Sequence, residues 1–142
     1  MQITQDHQLV TFHRLPDEPV QNVELFECAW DECVELQVQD KSMWLGKALV
    51  AMHSIERYEI AVVHGTRVVG AVVLAADPWD AHVGPCMSVF AQYVLPQYRN
   101  TGVSNALMRE AFLIARESGA GVLAYTHRKA PWRYETIYRR IK

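Results

Sequence analysis

The sequence predicts an α/β fold: a mixed central sheet flanked by helices. Two observations carry that reading. Residues 58–63 (YEIAVV) and 68–75 (VVGAVVLA) are runs rich in β-branched residues, joined by His64-Gly65-Thr66-Arg67. That pattern is an antiparallel hairpin. Further on, a run without charge at residues 88–95, a short turn, an amphipathic stretch at 103–117 and a second run at 122–126 read as strand, helix, strand. Such a unit implies parallel pairing through a right-handed crossover. A sheet that holds both pairings is mixed.

The elements follow in order. Residues 9–15 (LVTFHRL) form a first strand, and Pro16 and Pro19 break the chain after it. Over residues 20–38, Val23, Phe26, Trp30, Cys33, Val34 and Val38 recur at three- and four-residue steps, which predicts an amphipathic helix. Its other face carries Glu24, Glu27, Asp31, Glu32 and Glu35. A second helix spans residues 43–53. After the hairpin, Asp77-Pro78-Trp79-Asp80 starts a loop, and a third core strand runs over residues 87–95. In the helix at 103–117, Val103, Leu107, Ala111, Ile114 and Ala115 make one apolar stripe, and Gly119 is its expected C-cap. Residues 122–126 (VLAYT) form another strand. Pro131 then precedes a last short helix at 133–140. The predicted order is β-α-α-β-β-β-α-β-α, without internal repeats or interdomain linkers.

A chain of 142 residues makes one domain with a real core, residues 1–142. Half of the residues are hydrophobic and about a fifth are charged, an ordinary globular composition. No apolar run approaches the ~20 residues of a membrane helix, and MQITQDHQ has no secretory pattern. The cysteines are Cys28, Cys33 and Cys86, an odd count without metal-like pairing. Reduced thiols, a cytoplasmic setting and no metal are therefore expected. The net charge of −2 hides an asymmetry. Residues 1–80 hold 13 Asp and Glu against 5 Lys and Arg, a net of −8; residues 81–142 hold 3 against 9, a net of +6. A basic C-terminal half suits a polyphosphate ligand. Two halves of opposite charge that pack on each other explain it equally well.

The most informative segment is Pro96-Gln97-Tyr98-Arg99-Asn100-Thr101-Gly102, between the strand at 88–95 and the helix at 103–117. A strand that turns sharply into a helix aims unpaired N–H groups and the positive end of the helix dipole at one point. That is an anion site, most naturally for phosphate. Gly102 lets the backbone approach a ligand without a Cβ in the way, and the small Ser104 keeps the first helical turn clear. An ordinary capped strand–helix turn is the other reading of the same residues.

Residues 94–104, V-L-P-Q-Y-R-N-T-G-V-S, resemble the cofactor motif of the GNAT superfamily of acyl-CoA-dependent N-acetyltransferases. That motif is a strand, V-x-P-x-Y-R, a turn of the form Q/R-x-x-G-x-G/A, and a helix. Ser104 stands where Gly or Ala is usual. The resemblance implies a GNAT-like sheet, acetyl-CoA as acyl donor and a primary amine as acceptor. It assigns the diphosphate to Arg99, Asn100, Thr101, Gly102, Val103 and Ser104, and the pantetheine arm to the backbone of Tyr93, Val94 and Leu95. A backbone N–H of residues 90–94 would polarise the carbonyl. Ile137-Tyr138-Arg139-Arg140-Ile141-Lys142 resembles the family's F-Y-E-K-L-G-F end and puts Tyr138 in the place of the tyrosine that protonates the leaving thiolate. Pro131 and Tyr134 replace the Asn and Ala usual before it. The family normally continues into two more strands, so the sheet is expected to lack its last two.

Acetyl transfer needs a proton acceptor for the amine, a polarised carbonyl and a proton for the leaving thiolate. Tyr138 is the candidate acid. Residues 88–95 contain no carboxylate, so the base falls to Glu59, with Asp77, Asp80, His82 and His127 as the other options. Cys86 as an acyl-carrying nucleophile fits less well, because the superfamily usually transfers directly. Two non-catalytic alternatives stand beside this. One is a GNAT-like structural or interaction protein, as among compact proteins of tailed phages, placed in host cytoplasm or virion. The other is a regulatory domain that binds acyl-CoA without transfer. The acidic helix face would attract a cationic acceptor or is simply solvated. The basic residues lack the aromatic interleaving of a base-stacking platform, so nucleic acid is not an expected partner. An unfinished sheet edge would favour a homo-oligomer or a protein assembly.

Overall fold

Six strands and three helices form over residues 6–142, which the computed structural model describes. In order they are β1 (His7–Arg14), α1 (Val23–Glu32), a 3-10 turn (Leu36–Val38), α2 (Lys41–His53), β2 (Arg57–His64), β3 (Arg67–Asp80), β4 (Gly84–Val94), a second 3-10 turn (Pro96–Tyr98), α3 (Val103–Glu117), β5 (Val122–Ala130) and β6 (Arg133–Arg140). The strands lie in sequence order in one sheet. Every neighbouring pair is antiparallel except β4 and β5, which are parallel, so the sheet is mixed as expected.

α3 covers the range that its stripe predicts and buries Val103, Ala106, Leu107, Ala111, Ile114 and Ala115 against one face of the sheet. Burial of each large side chain in that stripe contributes roughly 1.5–3 kcal/mol. The approach is close at Gly70 of β3: a Cβ there would lie 2.8 Å from Val103 Cγ1. Leu25 and Phe26 of α1 enter the core from the other face. Covered on both sides, the middle of β3 reads as a continuous apolar run, and residues 70–75 are all buried. None of the helices among the described residues is long and apolar enough to cross a membrane.

Three expectations are corrected. Residues 77–80, expected to start a loop, are the end of β3, with Asp77 paired to Cys86 and Asp80 to Gly84. The helix predicted over residues 133–140 is strand β6, paired with β5 from Val122↔Arg140 to Ala130↔Arg133. Tyr134, Thr136, Ile137 and Tyr138 are strand-favouring residues, and the ladder with β5 holds the segment extended. Trp132, at φ 65°, makes the tight reversal that returns the chain along β5. The order is therefore β-α-α-β-β-β-α-β-β, and a strand does follow β5 where the sheet was expected to stop. The first helix is also shorter than expected. It ends at Glu32, Cys33 is extended, and Val34 and Val38 are exposed. The chain leaves the helical path where Glu35 turns toward the β5–β6 hairpin.

Candidate functional site

β4 and β5 pair only at Met87↔Leu123 and Ser88↔Ala124, and beyond those positions they part. β4 continues to Val94 and β5 to Ala130, so the two strands form an open fork with its vertex at Ser88 and Ala124. Just past the vertex β4 bulges. Leu74 pairs with Val89 and Val73 with Ala91, which leaves Phe90 without a partner and 49% exposed. A bulge takes a backbone group out of the ladder and re-aims it.

The backbone of β4 divides its polar groups by alternation. The Leu95 N–H donates to the Val69 carbonyl at 2.9 Å, so Leu95 and Tyr93 turn toward β3. Val94 and Gln92 turn toward the fork. Of the three residues expected along the pantetheine arm, Val94 alone offers backbone to the fork. Its carbonyl accepts from Arg99 Nε at 3.1 Å. The Gln92 side chain reaches across the opening and donates to the Thr126 carbonyl at 2.9 Å.

The turn after β4 leads directly into α3. Asn100 (φ 63°) and Gly102 (φ 94°) are left-handed, with Thr101 between them, and the Thr101 hydroxyl donates to the Tyr98 carbonyl. Alternating handedness of this kind makes a concave nest of N–H groups. Among the described residues, no acceptor meets the N–H groups of residues 100–105. His64 Nδ1 lies 2.7 Å from the Tyr98 hydroxyl and fixes the turn from the hairpin side.

Arg99, expected at the diphosphate, turns its guanidinium to α1. Its guanidinium makes a bidentate pair with Glu32 of α1 at 2.7 and 2.6 Å, and Tyr93 donates its hydroxyl to the same carboxylate at 2.7 Å. Arg99 first, and then Tyr93, hold the Glu32 carboxyl down at about 2. Burial and Glu32 push the Tyr93 phenol well above its ordinary range. A second clamp joins the same segment to the β5–β6 hairpin. Glu35 accepts from Arg128 at 2.8 and 2.9 Å, from the Tyr134 hydroxyl at 2.5 Å and from the Trp132 N–H at 3.2 Å. These contacts hold its carboxyl far below the ordinary carboxylate range, Arg128 most strongly. Glu32 and Glu35 were legible in sequence only as part of an acidic helix face. Nothing local distinguishes them, because their partners are 67 and 93 residues away.

The remaining sequence-predicted residues separate into those the fold gathers and those it does not. Tyr138 lies on β6 opposite Ala124, one strand beyond the fork vertex, and donates its hydroxyl to Asp80 Oδ2 at 3.1 Å. Its ring meets the His82 ring edge-on at 5.9 Å. Burial and Asp80 raise the phenol above its ordinary value, so it is a proton-bearing group at neutral pH. Glu59 stands apart from them. It is 2% exposed, with Oε2 accepting from Arg57 Nε at 3.2 Å and Oε1 from the Gln21 N–H at 2.8 Å. Arg57, itself fully buried, also donates to the carbonyls of Ile55, Glu18 and Pro19. Both oxygens of the Glu59 carboxylate are hydrogen-bonded inside the core. Its environment is that of a structural ion pair. His127 is exposed on β5 beside Tyr125.

A family model described as the acetyltransferase (GNAT) family matches residues 20–132. Solved structures with a similar fold include a GCN5-related N-acetyltransferase from Ralstonia eutropha JMP134 (TM-score 0.61, 15% identity, covering 87% of this chain and 84% of that one). A ribosomal-protein-alanine N-acetyltransferase from Brucella melitensis biovar Abortus 2308 gives 0.59 at 15% identity, covering 88% and 82%. An aminoglycoside acetyltransferase from an uncultured soil metagenomic sample, in complex with sisomicin, gives 0.56 at 13% identity, covering 87% and 79%. At these identities the likeness is one of fold. No curated protein matches by sequence.

Proposed function

The chain belongs to the acetyltransferase (GNAT) family, and from that premise we propose that it transfers the acetyl group of acetyl-CoA to a primary amine. The observation that carries the reading is the junction of an open strand fork with a nest of unpartnered N–H groups at residues 100–105. A bare anion turn would serve any phosphate. A fork that opens beside it makes room for a long, narrow arm as well. From Val94 back to the bulge at Phe90 is roughly 13 Å of strand, a length suited to an extended pantetheine.

Acetyl-CoA supplies the acetyl group as an activated thioester. The backbone of Asn100, Thr101, Gly102, Val103 and Ser104 would hold the diphosphate, helped by the α3 dipole. Arg99 acts through Glu32, which ties the turn to α1. A groove of about 300 Å³ along α3, lined by Asn105, Arg109, Phe112, Arg116 and Arg139 among others, carries three arginines that would suit the cofactor's nucleotide phosphate. Val94 would hydrogen-bond the arm with its fork-facing groups. The bulge at Phe90 would turn a backbone N–H to the carbonyl oxygen, where negative charge develops during attack. As the amine forms its bond to the acetyl carbon and the carbon–sulfur bond breaks, Tyr138 would give its proton to the sulfur. Asp80 holds that hydroxyl in place. His82, exposed beside the phenol, is the better-placed of the candidate proton acceptors for the amine.

Calorimetry with acetyl-CoA tests the cofactor half, and one-to-one binding is expected; none at millimolar concentration would sink the reading. An amine panel that includes an aminoglycoside and an alanine-terminated peptide tests the transfer half. In Tyr138→Phe, kcat should fall by about 10²–10⁴ while acetyl-CoA binding is kept. One observation favours a second reading, a GNAT-like interaction protein without turnover: Gln92 spans the fork where the arm would lie. That reading predicts neither acetyl-CoA binding nor any acetylated product.

A further inference from the structure

The end of the sheet away from the anion turn gathers a different set of groups. Asp77 of β3 and Cys86 of β4 are register partners, and a ladder irregularity between Asp77 and Asp80 brings a second carboxylate alongside. One ligand atom from each of Asp77, Asp80 and Cys86 lies within 4.8 Å of the other two. Cys86 is only 6% exposed, and among the described residues its thiol has no hydrogen-bond partner. Among those residues, neither carboxylate has a Lys, Arg or His in an ion pair. Two carboxylates without an ion-pair partner beside a buried thiol make a donor set that would suit a cation. A cavity of about 490 Å³, with Asp77, Cys86, Tyr58 and Met87 in its wall, gives access to it.

We propose that Asp77, Asp80 and Cys86 bind a divalent transition-metal ion of the zinc kind. The donor set decides the class of ion. A thiolate selects zinc and cobalt over magnesium and calcium, which take oxygen ligands. Two carboxylates and one thiolate fill three of the four positions of a tetrahedral ion, at about 2.0–2.2 Å for oxygen and about 2.3 Å for sulfur. Water would take the fourth. The backbone already restrains each donor. Asp80 Oδ1 accepts from the N–H groups of His82 and Val83, and Asp77 Oδ1 from that of Trp79, so Asp77 keeps its second oxygen for the ion while Asp80 would share its own between the ion and Tyr138. Asp80 Oδ2 is also the oxygen that holds the Tyr138 hydroxyl, so the ion would reach that phenol through one shared carboxylate.

The test is cobalt titration of the whole chain without acetyl-CoA, so its outcome is independent of the acyl-transfer reading. The wild type should develop a sulfur-to-cobalt charge-transfer band in the near ultraviolet that zinc abolishes. Cys86→Ser should lose the band, and Asp77→Asn should weaken cobalt binding about tenfold or more. The double variant Cys28→Ser, Cys33→Ser leaves Cys86 as the sole thiol and should keep the band. That arm decides the matter even if Cys86→Ser fails to fold. A wild type without the band, a band that survives in Cys86→Ser, or a double variant that loses it would each overturn the proposal. So would full cobalt affinity in Asp77→Asn.

Discussion

Glu59 and Arg57 illustrate how one residue's surroundings decide its role. On an apolar strand, an acid reads in sequence as a catalytic candidate, since such a position is costly without a purpose. Here the cost is met by a fully hydrogen-bonded partner: Arg57 donates to Glu59 and to three carbonyls of the flanking loops. Removal of one member strands the other charge in the core. Glu59→Gln is therefore expected to cost about 3–5 kcal/mol in urea unfolding, with kcat of the folded fraction unchanged. A stable variant with lost turnover would restore Glu59 as the base. Gly102 makes the opposite case, a residue whose lack of a side chain matters. At φ 94° any Cβ is strained, so Gly102→Ala should lose roughly 1–2 kcal/mol of stability. It should also weaken acetyl-CoA binding at least about tenfold by calorimetry, because the strain is relieved by turning the nest out of shape. Unchanged affinity would mean that the nest does not hold the diphosphate.

At the level of elements, the close approach of α3 to β3 is what aims the helix N-terminus at the end of β4. Gly70 permits it, and Val103, the first residue of α3, is the neighbour a Cβ would strike. Val103 is buried and β-branched, so it has little freedom to yield. Gly70→Ala should destabilise by about 1–3 kcal/mol and weaken acetyl-CoA binding through displacement of α3, although residue 70 lies outside the nest. A stable variant with full affinity would refute the coupling. The elements also show what was legible beforehand. α3 was fully legible because a strongly periodic helix carries its own signal, and so was the turn, whose Gly102 and Ser104 have local reasons to be small. β6 was not. Its segment is short, follows a proline and resembles a helical motif, and its strand conformation is decided by the ladder with β5. The clamps of Glu32 and Glu35 were hidden for the same reason: sequence shows an acidic face but not which basic residues the fold brings to it. The fork could be expected by resemblance alone, since parting strands leave no mark in either strand's composition.

Over the whole molecule, the acidic N-terminal and basic C-terminal halves are joined by carboxylate clamps. Glu32 with Arg99 ties α1 to the anion turn, and Glu35 with Arg128 ties the segment after α1 to the β5–β6 hairpin. Two halves of opposite charge thus pack together, and the charge asymmetry needs no ligand to account for it. The consequence is a definite dependence on pH. Both carboxyls are depressed in the folded protein, Glu32 from 4.5 to about 2 and Glu35 further still. A depressed carboxyl contributes stability above its unfolded value, and that contribution is lost as pH falls through the folded one. Between about pH 4.5 and pH 2 both clamps should therefore weaken, while the apolar contacts of β2, β3 and β4 with α3 are unaffected by protonation. Hydrogen exchange should then quicken first in α1, the anion turn and the β5–β6 hairpin, with the central strands following at lower pH. Salt separates the two clamps. The Glu32 and Arg99 side chains are 31% and 41% exposed, whereas those of Glu35 and Arg128 are 7% and 27% exposed. Screening acts mainly on exposed charges, so molar salt at neutral pH should loosen the turn before the hairpin. Simultaneous loss of protection in all strands on acidification, or a hairpin that responds to salt before the turn does, would show that the clamps do not govern how the sheet opens.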